Sequence, residues 1–150
     1  MPSKRRILFP LIAILLILSS LTTGCSGSAA DKAEHEIKLA PLAAMPAEVQ
    51  SAPVTVQQAY QFAVANPDVL QRLPCYCGCG AMGHTSNYAC YVAGTAADGS
   101  TEFDPHALGC SICVDITQDA MRLLKQGQDV TNIKAYVDGA YSRFGPTNMP

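Results

Sequence analysis

The segment "LPCYCGCGAMGH", Leu73 to His84, decides the fold, because its glycines and cysteines do not suit a regular helix or strand. It places Cys75, Cys77 and Cys79 at alternate positions. Alternate side chains of an extended segment point to one side, and Gly78 lets the backbone curve the three thiols around a common point. We therefore expect an irregular, cysteine-rich loop against which the rest of the chain packs.

Hydrophobic periodicity predicts helices on both sides of this loop. Apolar residues recur every three or four positions over residues 55–66, 107–126 and 131–143, and Pro67 begins a short additional helix. Residues 75–105 are rich in glycine, with one short helical piece around 86–92. The predicted fold class is all-α, a small helical domain with an irregular central loop, spanning residues 55–145. Burial is expected for Tyr60, Val64, Leu108, Ile112, Leu123, Tyr136 and Val137.

The N-terminus predicts export. Lys4, Arg5 and Arg6 precede an apolar run that is too short for a spanning helix, which is typical of a secretory signal peptide over residues 1–24. The string "LTTGC" that ends at Cys25 resembles the bacterial lipobox, so we expect Cys25 to be lipidated. A multiply acylated cysteine would anchor the protein to the extracytoplasmic face of a bacterial membrane.

The next segment, residues 25–54, is rich in Ala, Ser, Pro and Glu and is predicted to be a flexible tether. Removal of residues 1–24 would leave seven basic against twelve acidic side chains. An acidic chain without a basic stripe and without tryptophan does not favour nucleic acid as a partner.

The six cysteines of the predicted domain lie between residues 75 and 113, which brings much sulfur into a short segment. Cys110 and Cys113 stand three residues apart in a predicted helix, where they are neighbours on its surface. One histidine stands near each half of the set, and Met82 could add a thioether. The candidate metal ligands are Cys75, Cys77, Cys79, Cys90, Cys110, Cys113, His84 and His106.

The string "PCYCGCG", followed by "GH", a later single cysteine and "HALGCSIC" before a helix, resembles the bacterial PCYCGC-motif lipoproteins. The similarity covers most of residues 57–141. It implies a small exported lipoprotein that is rich in cysteine or associated with a metal. The resemblance implies no established reaction.

Three interpretations of the cysteines remain open. Thiolate-rich sites select soft metals, and six sulfurs favour Cu(I) over Zn(II) or an iron–sulfur centre. An even number of cysteines in an exported domain also fits a disulfide-stabilised structural module, in which Cys90, Cys110 and Cys113 pair with the three motif cysteines. The CxxC spacing of Cys110 and Cys113 fits a thiol–disulfide oxidoreductase, although no strand is predicted before the helix.

Enzymatic activity is not favoured by the sequence. No serine, histidine and acid form a recognisable catalytic elbow, and Asp104, Asp115 and Asp119 are interpreted as helix-start and solvent-face charges. We expect a tethered protein that binds a thiophilic metal, Cu(I) in preference, for sequestration or for delivery to a metal-accepting membrane protein.

Overall fold

The structure is a computed structural model that describes residues 36–150. The predicted signal peptide, the lipidation site Cys25 and the first part of the tether lie outside the described residues. None of the helices within residues 36–150 has the length and apolar character that crossing a membrane requires.

The described chain is mostly helical. Its α-helices are α1 Ala47–Gln50, α2 Val54–Ala65, α3 Pro67–Leu70, α4 His106–Gly109, α5 Ser111–Lys125 and α6 Val130–Tyr141. Short 3-10 turns cover Leu42–Ala44, Cys79–Met82, Tyr88–Cys90 and Ser142–Phe144. The predicted helices over residues 55–66 and 131–143, and the short helix beginning at Pro67, are confirmed with small shifts of their ends.

The core forms where α5 packs against both α2 and α6. Tyr60 and Phe62 from α2, Ile116 from α5, and Ile133 and Val137 from α6 are fully buried. Burying a side chain of this size contributes about 1.5–3 kcal/mol. Gly127 follows α5 and has a φ of +74°, the left-handed conformation that commonly stops a helix, as its position in the sequence predicts.

The expected all-α class is wrong in one respect, because the central loop contains a small antiparallel hairpin. Strand β1, Val92–Thr95, pairs with β2, Thr101–Phe103. The turn between them uses Gly99 with φ of +86°, a conformation that glycine adopts without a steric penalty. The β-branched threonines at the turn end favour extended backbone.

The predicted helix over residues 107–126 is also interrupted. Cys110 has an extended backbone, with φ −118° and ψ 99°, and separates α4 from α5. Gly109, which precedes it, is a poor helix former, so the interruption costs little free energy. The break places Cys110 at the N-terminal boundary of α5 and turns its side chain towards Cys113.

Part of the predicted tether packs on the domain. The side chains of Met45 and Val49 are buried in the core, and Gln61 donates a hydrogen bond of 2.7 Å to the carbonyl of Ala40. The linker-like composition of this segment gave no indication that Met45 and Val49, four residues apart, would be buried. The folded unit therefore begins before residue 55.

Side-chain burial follows the prediction for Tyr60, Leu123 and Val137, whereas Val64, Leu108 and Ile112 are only partly buried. The prediction for Tyr136 is wrong, because its side chain is 42% exposed. Helix α6 presents Ile133 and Val137 to the core. Tyr136 lies at the edge of this face, where its ring packs against the guanidinium of Arg122 with a centroid distance of 5.5 Å.

Candidate metal centre

The sulfur atoms from both halves of the cysteine set converge. Cys75 Sγ lies 3.3 Å from Cys77 Sγ and 3.2 Å from Cys113 Sγ. Cys113 Sγ lies 3.3 Å from Cys110 Sγ. Cys79 Sγ lies 3.7 Å from Cys90 Sγ. All six thiols are free, and only Cys77 and Cys110 are partly exposed.

The motif itself is held by its non-cysteine residues. Gly78 takes φ of +84° and lets the chain turn into the Cys79–Met82 3-10 turn. The hydroxyl of Tyr76 donates a hydrogen bond of 2.7 Å to Asp138 on α6. Leu73, which precedes the motif, and Pro74, its first residue, are both fully buried. The spacing of the three thiols is therefore set by packing on both sides of the loop.

The histidines also face the sulfurs. His106 Nε2 lies 3.4 Å from Cys77 Sγ. His84 is 9% exposed, and its Nε2 lies 3.2 Å from Asp104 Oδ2, while its Nδ1 is buried without a hydrogen-bond partner. The two imidazole rings stand edge to face with their centroids 5.2 Å apart. Met82, the candidate thioether ligand, is 59% exposed.

The carboxylate of Asp104 contacts both histidines. Besides its contact with the His84 ring, its Oδ1 accepts a hydrogen bond of 2.8 Å from the backbone N–H of His106. Its own N–H donates to the carbonyl of Tyr91, which fixes it at the end of the hairpin. The helix-start interpretation of Asp104 is confirmed by its bond to the first N–H of α4, but its carboxylate also contacts His84 and is therefore not a solvent-face charge. A carboxylate on one imidazole nitrogen fixes the tautomer and leaves the other nitrogen for a metal.

The C-terminal residues close over the motif. The backbone N–H of Cys75 donates to Asn148 Oδ1 at 2.7 Å, and the N–H of Asn148 donates to the Cys75 carbonyl at 3.1 Å. Asn148 Nδ2 lies 3.5 Å from Cys79 Sγ and donates to the Ser86 carbonyl at 3.1 Å. A Cβ atom on Gly145 would meet the carbonyl oxygen of Tyr76 at 2.8 Å, so this close approach requires glycine.

A buried polar network supports the second half of the site. The hydroxyl of Tyr91 lies 2.7 Å from both the Cys113 carbonyl and Thr117 Oγ1. Thr117 donates to Asn87 Oδ1 at 2.8 Å, and Asn87 Nδ2 donates to the Cys113 carbonyl at 3.3 Å. Because these four residues are fully buried, the network fixes the backbone that carries Cys113.

The sulfur spacing fits a metal better than disulfide bonds. Bonded sulfur atoms lie about 2.05 Å apart. Two thiolates on one tetrahedral zinc, with bonds near 2.3 Å, would be separated by about 3.8 Å. The Cys79–Cys90 sulfur distance of 3.7 Å matches the metal value, and the shorter distances around Cys75 are closer to it than to a bond. Sulfur and imidazole are also the donors that thiophilic ions prefer.

The thiols of the cluster differ in acidity. Hydrogen bonds, the strongest from the Cys113 thiol, lower the pKa of Cys75 below its ordinary value. The Cys113 pKa is raised, first by its hydrogen bond to Cys75 and also by burial. Burial raises the pKa of Cys77 and of Cys79. Cys75 is therefore more acidic than the three other thiols.

The CxxC pair lacks the setting of a thioredoxin-like motif. The short helix α4, and not a strand, precedes Cys110. Cys113 is fully buried beneath Cys110. Its sulfur contacts three other cysteines, so the pair forms part of the larger cluster.

Sequence reasoning missed two supporting residues, Asp104 and Asn148. For Asp104 the available signal was its position two residues before His106, close enough for its carboxylate to cap the following turn. For Asn148 no local signal existed, because its partners lie more than 60 residues earlier in the chain.

Comparison with known proteins gives one match. The family model described as "Protein of unknown function with PCYCGC motif" matches residues 14–150. The comparison with curated proteins found no significant match, and neither did the comparison with solved structures.

Proposed function

The chain belongs to the family of proteins of unknown function with a PCYCGC motif, and we propose that it captures a thiophilic metal ion as cargo outside the cytoplasm. One observation carries the proposal. All six domain cysteines, with His84 and His106, fall into overlapping groups whose donor atoms lie within 4.8 Å of one another. Such a density of free thiols has a clear chemical use in metal ligation.

Cu(I) is the cargo that the donor set favours most. Thiolates and imidazoles suit Cu(I), and six sulfurs exceed the single tetrahedral shell of one zinc ion. Four of the sulfurs are buried, which keeps water and oxidants away from a bound Cu(I) ion. Zn(II) and an iron–sulfur centre use the same ligands and are the competing cargoes.

Membrane attachment would place the captured ion close to a membrane-bound acceptor. We propose that Cys25 carries the lipid after removal of residues 1–24, and that residues 26–35 link the membrane to the folded unit. This arrangement would keep the metal near a metal-accepting membrane protein and raise its effective concentration there. Mass spectrometry of the mature N-terminus tests this part, and an unmodified N-terminus in a freely secreted chain would contradict it.

Cu(I) competition tests the binding function. The full-length chain in mild detergent is loaded anaerobically with Cu(I) and titrated with a chromogenic Cu(I) chelator. We expect Cys77→Ser to lose at least about tenfold in affinity, the loss typical of disturbed ligation. Asn132→Ala, an exposed change on α6 that leaves every candidate donor in place, is the control. Equal Cu(I) retention by both variants, or exchange of Cu(I) by equimolar Zn(II), would contradict the proposal.

A further inference from the structure

The eight candidate donors do not form one undivided site. One four-donor group comprises Cys77, Cys110, Cys113 and His106, and another comprises Cys79, Cys90, His84 and His106. The two groups have only His106 in common. We call the site built on Cys77, Cys110 and Cys113 the outer site, and the site built on Cys79, Cys90 and His84 the inner site.

His106 goes with the outer site. Its Nε2 lies 3.4 Å from Cys77 Sγ, and its backbone N–H is held by Asp104. With His106 assigned there, Cys77, Cys110, Cys113 and His106 supply a complete four-ligand shell. A tetrahedral ion needs no further donor from the protein.

The inner site has its own indication of a ligand. His84 Nδ1 is the one buried side-chain nitrogen or oxygen in the described residues without a hydrogen-bond partner. Its other nitrogen, Nε2, lies at Asp104, so a lone pair is left on Nδ1. A buried acceptor without a partner destabilises the fold unless something binds it. A metal ion held together with Cys79 and Cys90 would satisfy it.

Cys75 completes the inner shell. Its sulfur lies within 4.8 Å of Cys79 in one group and within 4.8 Å of Cys90 in another. Cys79 and Cys90 lie 3.7 Å apart, so these three sulfurs are mutual neighbours. Cys75 Sγ also lies 3.3 Å from Cys77 Sγ and 3.2 Å from Cys113 Sγ, so it stands between the two sites. We assign it to the inner site because its side chain is buried like those of Cys79 and Cys90, and the eight candidate residues then divide into two sets of four.

The two sets differ in accessibility. The outer set includes the partly exposed Cys77, Cys110 and His106. In the inner set Cys75, Cys79 and Cys90 are at most 1% exposed, and Asn148 covers Cys79 from the C-terminal side. An entering ligand can therefore reach the outer donors directly, whereas the inner donors require local opening of the fold.

We propose that the centre holds two metal ions with separate roles, an exchangeable ion in the outer site and a retained ion in the inner site. This inference rests on the proposed function. The outer ion is the one handed to an acceptor, by stepwise replacement of Cys110 and Cys77 as ligands. The inner ion joins the motif to Cys90 and His84 and stabilises the domain, because ligation and folding are coupled.

Zn(II) is a suitable probe because each ion takes four ligands, so the number of bound ions gives the number of complete four-donor sites. The full-length chain in mild detergent is reduced, loaded anaerobically with Zn(II) and mixed with a large excess of a chromogenic chelator. We expect two ions per chain, released in two phases that differ at least about tenfold in rate, or about 1.4 kcal/mol in barrier. One ion, or two ions released at one rate, would overturn the two-site inference. Binding of neither Zn(II) nor Cu(I) would overturn the proposed function itself.

Two variants assign the phases. Cys110→Ser should remove the fast phase and leave one slowly released ion, and it replaces a partly exposed side chain. His84→Ala should remove the slow phase and leave the fast one. Loss of both ions in Cys110→Ser would mean a single cooperative cluster and would overturn the inference. This outcome is decisive even if His84→Ala does not fold.

Discussion

The side-chain oxygen of Asn148 accepts a 2.7 Å hydrogen bond from the backbone N–H of Cys75, across 73 residues of sequence. The reciprocal backbone bond, from the Asn148 N–H to the Cys75 carbonyl, is 3.1 Å long. One backbone and one side-chain hydrogen bond thus hold the C-terminal segment against the first cysteine of the motif. Through this pair, the end of the chain helps to fix the geometry of the centre.

Asn148→Ala should weaken the centre without removing a ligand. The Cys75 N–H would lose its acceptor and the Ser86 carbonyl its donor, and each unsatisfied buried group costs about 1–3 kcal/mol. We expect a lower free energy of unfolding and weaker Zn(II) binding, measured by urea titration and chelator competition. Asn132→Ala, an exposed position on α6, is the matched control and should change stability by less than about 0.5 kcal/mol. Equal stability of the two variants would contradict the role of Asn148.

Asp104→Asn should weaken metal binding about 10- to 100-fold, the usual cost of losing a carboxylate that orients a ligating histidine. The amide can still accept the hydrogen bond from the His106 N–H, but it no longer holds the proton on His84 Nε2. The Zn(II) dissociation constant measures the effect. Asp115→Asn, an exposed change on α5, controls for the lost charge. Unchanged affinity in Asp104→Asn would show that His84 is not oriented by this carboxylate.

Tyr91→Phe should destabilise the metal-free, reduced protein by about 1–3 kcal/mol, because the Cys113 carbonyl and Thr117 hydroxyl lose a buried partner. Tyr136→Phe removes the same hydroxyl from a side chain that is 42% exposed, and it should have little effect. Urea unfolding of both variants measures the difference. Similar midpoints would contradict the importance of the buried network.

Metal uptake should release protons and weaken as the pH falls. Cys77, Cys79, Cys90 and Cys113 all have raised pKa values, so the metal-free protein keeps these thiols protonated at neutral pH. Cys75, whose pKa is lowered, contributes least to this release. Each displaced proton makes binding about tenfold weaker per pH unit of acidification.

Calorimetry in buffers of different ionisation enthalpy counts these protons. We expect several protons per fully loaded chain, because thiols with raised pKa values lose their protons when they bind the metal. Release of one proton or none at pH 7 would mean that these thiols are already ionised, and it would contradict their raised pKa values.

The sequence predicted the local elements better than the connections between them. Helix α2, the start of α3 at Pro67 and the end of α5 at Gly127 follow from periodicity and from proline and glycine, which act locally. The hairpin and the break at Cys110 depend on tertiary contacts that local propensity does not encode. The buried anchors Met45 and Val49 were hidden by a composition typical of a linker.

The candidate donors were predictable from residue type and spacing, because thiolate and imidazole are the ligands that thiophilic metals select. Their supporting residues were not. Asp104 resembles an ordinary helix-start carboxylate, and Asn148 acquires its role only when the C-terminus returns to the motif. The positions of residues that support the donors depend on the fold as a whole, and a single sequence gives no signal for contacts of this range.

The most direct test of the central claim is the metal and thiol content of the protein as it is isolated. The full-length chain is purified anaerobically from membranes, its metals are measured by elemental analysis, and its thiols are counted after denaturation in the presence of a chelator. The account predicts bound thiophilic metal together with six free thiols in the domain cysteines. A metal-free protein with three disulfides, including Cys75–Cys113 and Cys79–Cys90, whose sulfurs already lie 3.2 Å and 3.7 Å apart, would contradict it.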